Sequence, residues 1–186
     1  MKKDRRIVQS ENAILEAGIQ TLLDNPTAGM SEVAVNAGVG RTTLYRHFET
    51  KEALIRAIVL YCFDEIDEAL KPIEALSGRA AIEATIELLI PVADRYRVLS
   101  RLWSVVSNDV AVLARIEQST RDVDWLMEQG VERGVLDGDL PASWLTQQFE
   151  MTLYGAWDLL DRQQITVEEA IRCAQQSFFR GVQAQR

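Results

Sequence analysis

Apolar positions recur along this chain at three- and four-residue steps, with no β pattern and no internal repeat, so the sequence predicts helix throughout. The first stretch places Ile14, Ala17, Gly18, Thr21 and Leu22 on one face of a helix that starts between Ile7 and Ser10 and ends at Asp24, where Asn25-Pro26 breaks it. Two short patterns follow, Val33, Ala34 and Ala37, then Leu44 and Phe48, with Gly38 between them. A reversal after two turns of helix needs a residue that tolerates positive φ, which glycine does without steric cost. Thr50 reads as the N-cap of a fourth helix from Lys51 to about Lys71, stopped by Pro72. That helix turns Leu54, Ile58, Tyr61 and Ile66 inward and Asp64, Glu65, Asp67 and Glu68 mostly outward.

The remaining pattern predicts helices from Gly78 through Leu88, Arg95 to Val106, Asp109 to about Arg133, and Pro141 to about Arg162. A last one, opened by the capping box Thr166-x-x-Glu169, runs to about Gln183. The fold class is therefore all-α, with about nine helices. Three form an N-terminal group over residues 1–52, and the others a larger C-terminal body over 53–186.

The two helices around Gly38 carry the readable chemistry. Burying Leu44 and Phe48 leaves Arg41, Thr42, Thr43, Tyr45, Arg46 and His47 on the open side of the second. That is a set suited to a DNA major groove: guanidinium for guanine edges, hydroxyl and methyl for mixed contacts, phenol and imidazole for phosphate or base. Lys51 stands in the first turn of the next helix, where a cation opposes the helix dipole unless a phosphate lies nearby. Lys2, Lys3, Arg5 and Arg6 form a basic arm ahead of the first helix, either reaching for DNA or solvated. From the residues alone, a helical hairpin in an ordinary core with a scattered basic surface stays open.

Net charge changes this picture only through its distribution. The chain carries -8 overall, yet residues 1–56 are net +1 and residues 57–186 net -9. An acidic body with a near-neutral head permits DNA binding without proving it. Cys62 and Cys173 have no CxxC spacing and suggest neither disulfide nor zinc, which with the absence of a long apolar run or leader pattern points to a cytoplasmic protein without a membrane partner. The single histidine, His47, leaves no multi-histidine metal site, and no phosphate-cradling or nucleophile-elbow motif is present. No enzyme, metal or cofactor is expected.

Residues 14 to 54 resemble the DNA-binding domain of the tetracycline-repressor (TetR) family, through AGV at 37–39, LYRHF at 44–48 and TKEAL at 50–54. The resemblance implies an N-terminal helix-turn-helix domain with Arg41 to Phe48 in the major groove, and Tyr45 and Lys51 on phosphates. It also implies a homodimer on palindromic double-stranded operator DNA, and a C-terminal domain that binds a small effector and dimerises. The chain departs from the family pattern at Gly29 and Gly40, where threonine and serine or threonine are usual, so both helices lack a hydroxyl cap.

The last two helices carry apolar stripes: Leu145, Phe149, Thr152, Ala156 and Leu159, then Val167, Ile171, Ala174, Phe178 and Val182. Either stripe can serve the subunit's own core. Met151, Leu153, Tyr154, Trp157 and Leu160 nevertheless give the eighth helix more apolar surface than one face, and excess apolar surface wants a second partner. The family resemblance assigns these helices to a dimeric four-helix bundle, with Leu145, Phe149, Thr152, Ala156, Leu159, Ile171, Ala174, Phe178 and Val182 at the interface. It also places an effector pocket among helices four to eight, with Tyr61, Tyr96, Trp103, Trp125, Met127, Met151 and Tyr154 as candidate lining for an apolar or aromatic ligand. A regulator released by such an effector is the leading reading. A constitutive or protein-controlled DNA binder, and a helical interaction module without DNA binding, are the alternatives.

Overall fold

A computed structural model describes residues 5–182, with side chains from Glu11 onward. Its described residues form nine α-helices and no strand: α1 Arg5–Asp24, α2 Met30–Asn36, α3 Arg41–His47, α4 Lys51–Leu70, α5 Gly78–Leu89, α6 Ala93–Val106, α7 Val110–Glu132, α8 Ala142–Asp161 and α9 Val167–Val182. Helix α1 begins earlier than its apolar pattern, so Arg5 and Arg6 stand in its first turn; Lys2 and Lys3 lie outside the described residues. Pro72 falls in a short 3-10 turn, Lys71–Ala75, that follows α4.

The chain divides into two compact units, and the division differs from the expected boundary at residue 52. One unit runs to Glu65 and also takes in Asp94–Arg115; the other comprises Ile66–Ala93 and the chain from Ile116 onward. Helix α4 is continuous across residue 52, and the α6 segment joins the N-terminal helices, which no local sequence pattern signals.

In the first unit, Ile14, Ile19, Leu22, Val33, Ala34, Leu44, Leu54, Ile58 and Val59 form a buried core. Gly18 lets α1 and α4 cross closely: a Cβ there would sit 2.6 Å from the Ile58 Cδ1 atom. The segment from α6 into α7 is tied on by polar contacts. Arg101 donates to the Leu23 carbonyl, Arg56 Nε donates to Asp109 at 2.7 Å, and Arg115 pairs with Asp64 at 3.4 Å. Asp109 also caps α7, accepting from the Ala111 and Val112 amides at 3.0 and 3.1 Å.

The second unit is built on α5, most of α7, α8 and α9. Phe149 and Phe178 meet edge to face with centroids 5.5 Å apart, Phe178 meets Phe179 in the same way, and the Arg79 guanidinium lies over the Phe179 ring. Buried Trp157 donates its indole N–H to the Leu89 carbonyl at 3.1 Å. The capping box at α9 closes in both directions: the Thr166 amide donates to Glu169, and the Glu169 amide to the Thr166 hydroxyl.

Candidate nucleic-acid interface

The hairpin formed by α2 and α3 is set by its two ends and its plug. Gly38, at φ +65°, makes the turn after α2, and the Val39 amide returns to the Ala34 carbonyl. Leu44, fully buried, fills the angle between α2 and α3, a burial that stabilises by roughly 1.5 to 3 kcal/mol. Asn36 on α2 donates to the Thr21 hydroxyl of α1 at 2.8 Å, which fixes the hairpin against α1. Phe48 is buried just past the end of α3. Thr50 then caps α4, its hydroxyl accepting from the Ala53 amide at 3.1 Å.

With that side fixed, Arg41, Thr42, Tyr45 and Arg46 are exposed together on the other side of α3, and among the described residues neither arginine makes an ion pair. Thr43 and Lys51 are half-buried, Lys51 at the start of α4. His47 is less open than its place in the pattern predicts. It is half-buried beside Phe48, and its Nε2 is enclosed without a hydrogen-bond partner. Gly29 and Gly40 occupy the N-cap positions of α2 and α3 in extended conformation, and neither start has a side-chain cap.

Of the nine interface candidates on α8 and α9, six face inward. Leu145, Phe149, Ala156, Ala174, Phe178 and Val182 are buried inside the subunit itself, so that stripe is the seam by which α8 and α9 join their own core. Thr152 and Ile171 are half-buried, and only Leu159 is exposed. An amphipathic stripe reports that a face is covered, and here the cover is intramolecular. The outward sides carry Trp144, Met151, Gly155 and Leu159 on α8, and Cys173, Ser177 and Gly181 on α9. Of these, Met151 belongs to the surplus of apolar residues that α8 carries beyond one stripe.

The effector candidates also separate. Met127 is fully buried as a core residue of the second unit, whereas Trp125, Met151 and Tyr154 are exposed there. Tyr154 stacks edge to face on Trp157, with centroids 5.4 Å apart. In the first unit Tyr96 is half-buried and Trp103 exposed. Tyr61 belongs to a polar cluster rather than an apolar wall: its O–H donates to Glu16 at 2.9 Å, and burial followed by the Glu16 contact pushes its phenol well above the usual range. Periodicity missed two acids on the second unit. Half-buried Glu150 sits one turn before Tyr154, its carboxyl pushed up by burial and by the charge of Asp124, which accepts a 2.6 Å hydrogen bond from Thr146. Among the described residues no three metal-ligating side chains come together, and no helix is long and apolar enough to cross a membrane.

Comparison with known proteins follows the same outline. Residues 14–58 match the model for bacterial regulatory proteins of the tetR family. The HTH-type transcriptional repressor LfrR of Mycolicibacterium smegmatis is 31% identical over 86 residues, which is 43% of this chain and 46% of the repressor. The matched stretch therefore spans less than half of that relative's length. Among solved structures, the TetR-like regulator LfrR from Mycobacterium smegmatis in complex with proflavine superposes with a TM-score of 0.77 at 20% identity, covering 95% of this chain and 97% of that one. A TetR family transcription regulator from Marinobacter aquaeolei gives 0.80 at 20% identity, covering 97% and 99%. At these identities the two structures establish a shared fold along nearly the whole chain.

Proposed function

We propose that this chain, whose residues 14–58 match the model for bacterial regulatory proteins of the tetR family, reads a palindromic operator as a homodimer and lets go when a small, mainly apolar or aromatic effector binds. The observation that carries this reading is α3, with Leu44 buried beneath it and Arg41, Thr42, Tyr45 and Arg46 presented together on its outer side. Arg41 and Arg46 supply guanidinium forks for base edges, and Tyr45 and Lys51 supply phosphate contacts. Two such helices related by a dimer axis read half-sites about one helical turn apart, ~34 to 36 Å.

The dimer we propose uses the outward sides of α8 and α9. Gly155 and Gly181 have nothing within 4 Å of an added Cβ, and with Ser177 and Cys173 they offer low relief on which a second copy's helices can close, with Met151 and Leu159 as apolar contacts. This replaces the buried stripe and keeps the four-helix arrangement.

For the effector, support comes from the exposed aromatic and sulfur side chains of the second unit and from Glu150 beside Tyr154. An aromatic ligand with positive charge would cover the rings and relieve a carboxylate that burial disfavours. Proflavine is the probe to use first.

The test is footprinting on the DNA upstream of the protein's own gene, repeated with proflavine and with a panel of apolar compounds. Protection of two half-sites, released by at least one compound that also perturbs tryptophan fluorescence, is the expected outcome. All four tryptophans, 103, 125, 144 and 157, lie outside residues 14–58, so that signal reports on the rest of the chain. Protection that no compound releases would favour a constitutive binder, and no protection on any genomic fragment would end the DNA-binding reading.

A further inference from the structure

Three helices of the first unit meet at one guanidinium. Arg95 on α6, with its side chain 17% exposed, donates through Nη2 to both oxygens of Glu16 on α1, at 3.0 and 3.2 Å, and to Glu65 on α4 at 2.9 Å. Tyr61 on α4 donates its O–H to the same Glu16 oxygen at 2.9 Å. Two carboxylates from different helices thus share one nitrogen, and the cluster holds one more negative than positive charge. Cys62, next along α4, lies in the same field: burial pushes its thiol up to about 12, with Arg95 opposing and the two carboxylates reinforcing.

This arrangement is asymmetric in a useful way. Removing either carboxylate leaves Arg95 with the other partner. Removing Arg95 leaves two carboxylates facing each other across the α1–α4 contact, partly shielded from water, where like charges repel more strongly than at an open surface. The spacing of α1 and α4 bears on α3 because α3 is joined to both: α1 packs on α2, which packs on α3, and α4 begins at Lys51, three residues beyond Phe48. The α6 segment keeps its other ties through Arg101, Asp109 and Arg115, so loss of Arg95 alone does not release it.

We propose that Arg95 is a positioning residue for DNA recognition, which sets the inclination of the reading helix by neutralising Glu16 and Glu65 and so holding α1 against α4. This rests on the DNA-binding reading, and the experiment keeps the two apart. Arg95→Met preserves bulk and removes charge; Arg95→Met with Glu65→Gln also removes the repulsive pair. Each is compared with wild type well below its unfolding midpoint, where circular dichroism shows full helix content. Arg95→Met is expected to weaken operator binding by about tenfold or more, and the added Glu65→Gln to restore most of that loss.

A purely structural role would lower the unfolding midpoint of Arg95→Met while leaving the folded protein's affinity unchanged, and that result overturns the proposal. So does a loss that Glu65→Gln fails to repair. The same variants, in a Cys173→Ser background with spin labels at Asn12 on α1 and Ala53 on α4, are expected to show a longer and broader distance distribution for Arg95→Met alone. An unchanged distribution overturns the role of Arg95 even if the protein binds no operator. A changed distribution in a protein that binds no DNA would remove the DNA-binding reading, and the proposal with it.

Discussion

Replacing Phe178 by alanine separates a core role from an interface role. The side chain is 2% exposed and meets Phe149 and Phe179 edge to face, each at 5.5 Å between centroids. Truncation removes both ring contacts and leaves a cavity between α8 and α9, and such Phe→Ala changes cost about 3 to 5 kcal/mol. The aromatic pairs account for roughly 0.5 to 1.5 kcal/mol each beyond their buried area. For a chain of this size, that loss corresponds to a fall in unfolding midpoint of roughly 6 to 20 °C. The assay is thermal unfolding followed by tryptophan fluorescence, because buried Trp157, bonded to the Leu89 carbonyl, reports on the same core. Running it at two protein concentrations about a hundredfold apart isolates any contribution from assembly. The expected result is an equal fall at both concentrations, with the association state unchanged in sedimentation. A variant that kept its midpoint within a few degrees but sedimented as a smaller species would refute the argument, since Phe178 would then be spending its surface on a second copy.

Further outcomes follow from the same geometry. Arg46→Ala, on the exposed side of α3, is expected to relax base preference at one operator position at a cost of about 1 to 3 kcal/mol. Lys51→Ala instead weakens all sequences alike and lowers the salt slope by about one unit, both read by titration at several salt concentrations. Gly40→Ser is expected to stabilise by a few tenths of a kcal/mol, because φ -69° and ψ 147° suit any residue and nothing lies within 4 Å of an added Cβ; a lower midpoint would show that serine makes no cap there. Two carboxyls should give opposite pH signatures in paired unfolding curves. Glu169 is held below the ordinary range by the Thr166 amide, so its stabilisation is full above about pH 4.3 and disappears as pH falls through its lower folded value; the gap between wild type and Glu169→Ala closes only in acid. Glu150 is raised, so its ionised form costs stability above its folded value, and Glu150→Gln is expected to be more stable than wild type at neutral pH and no different below about pH 4.

Much of the architecture is decided by local rules that a sequence displays. Three- and four-residue apolar spacing sets the helices, Asn25-Pro26 and Pro72 interrupt them, and Thr50 and the Thr166–Glu169 pair start two of them by side-chain bonds spanning only three residues. The reading hairpin belongs to the same class, because Gly38, Leu44 and Phe48 act within one supersecondary unit, and the exposed side of α3 is what their burial leaves over. Tertiary structure alone decided which partner covers each apolar stripe. Periodicity shows that Phe149 and Phe178 face something, but whether that is the same chain or another depends on how α8 and α9 dock, and they dock on each other and on the subunit's own core. The same holds for Tyr61 and Arg95, whose meeting with Glu16 spans 45 and 79 residues of sequence. No spacing rule links residues so distant; the contact exists because α6 folds back onto the N-terminal helices and brings a single cation to two carboxylates.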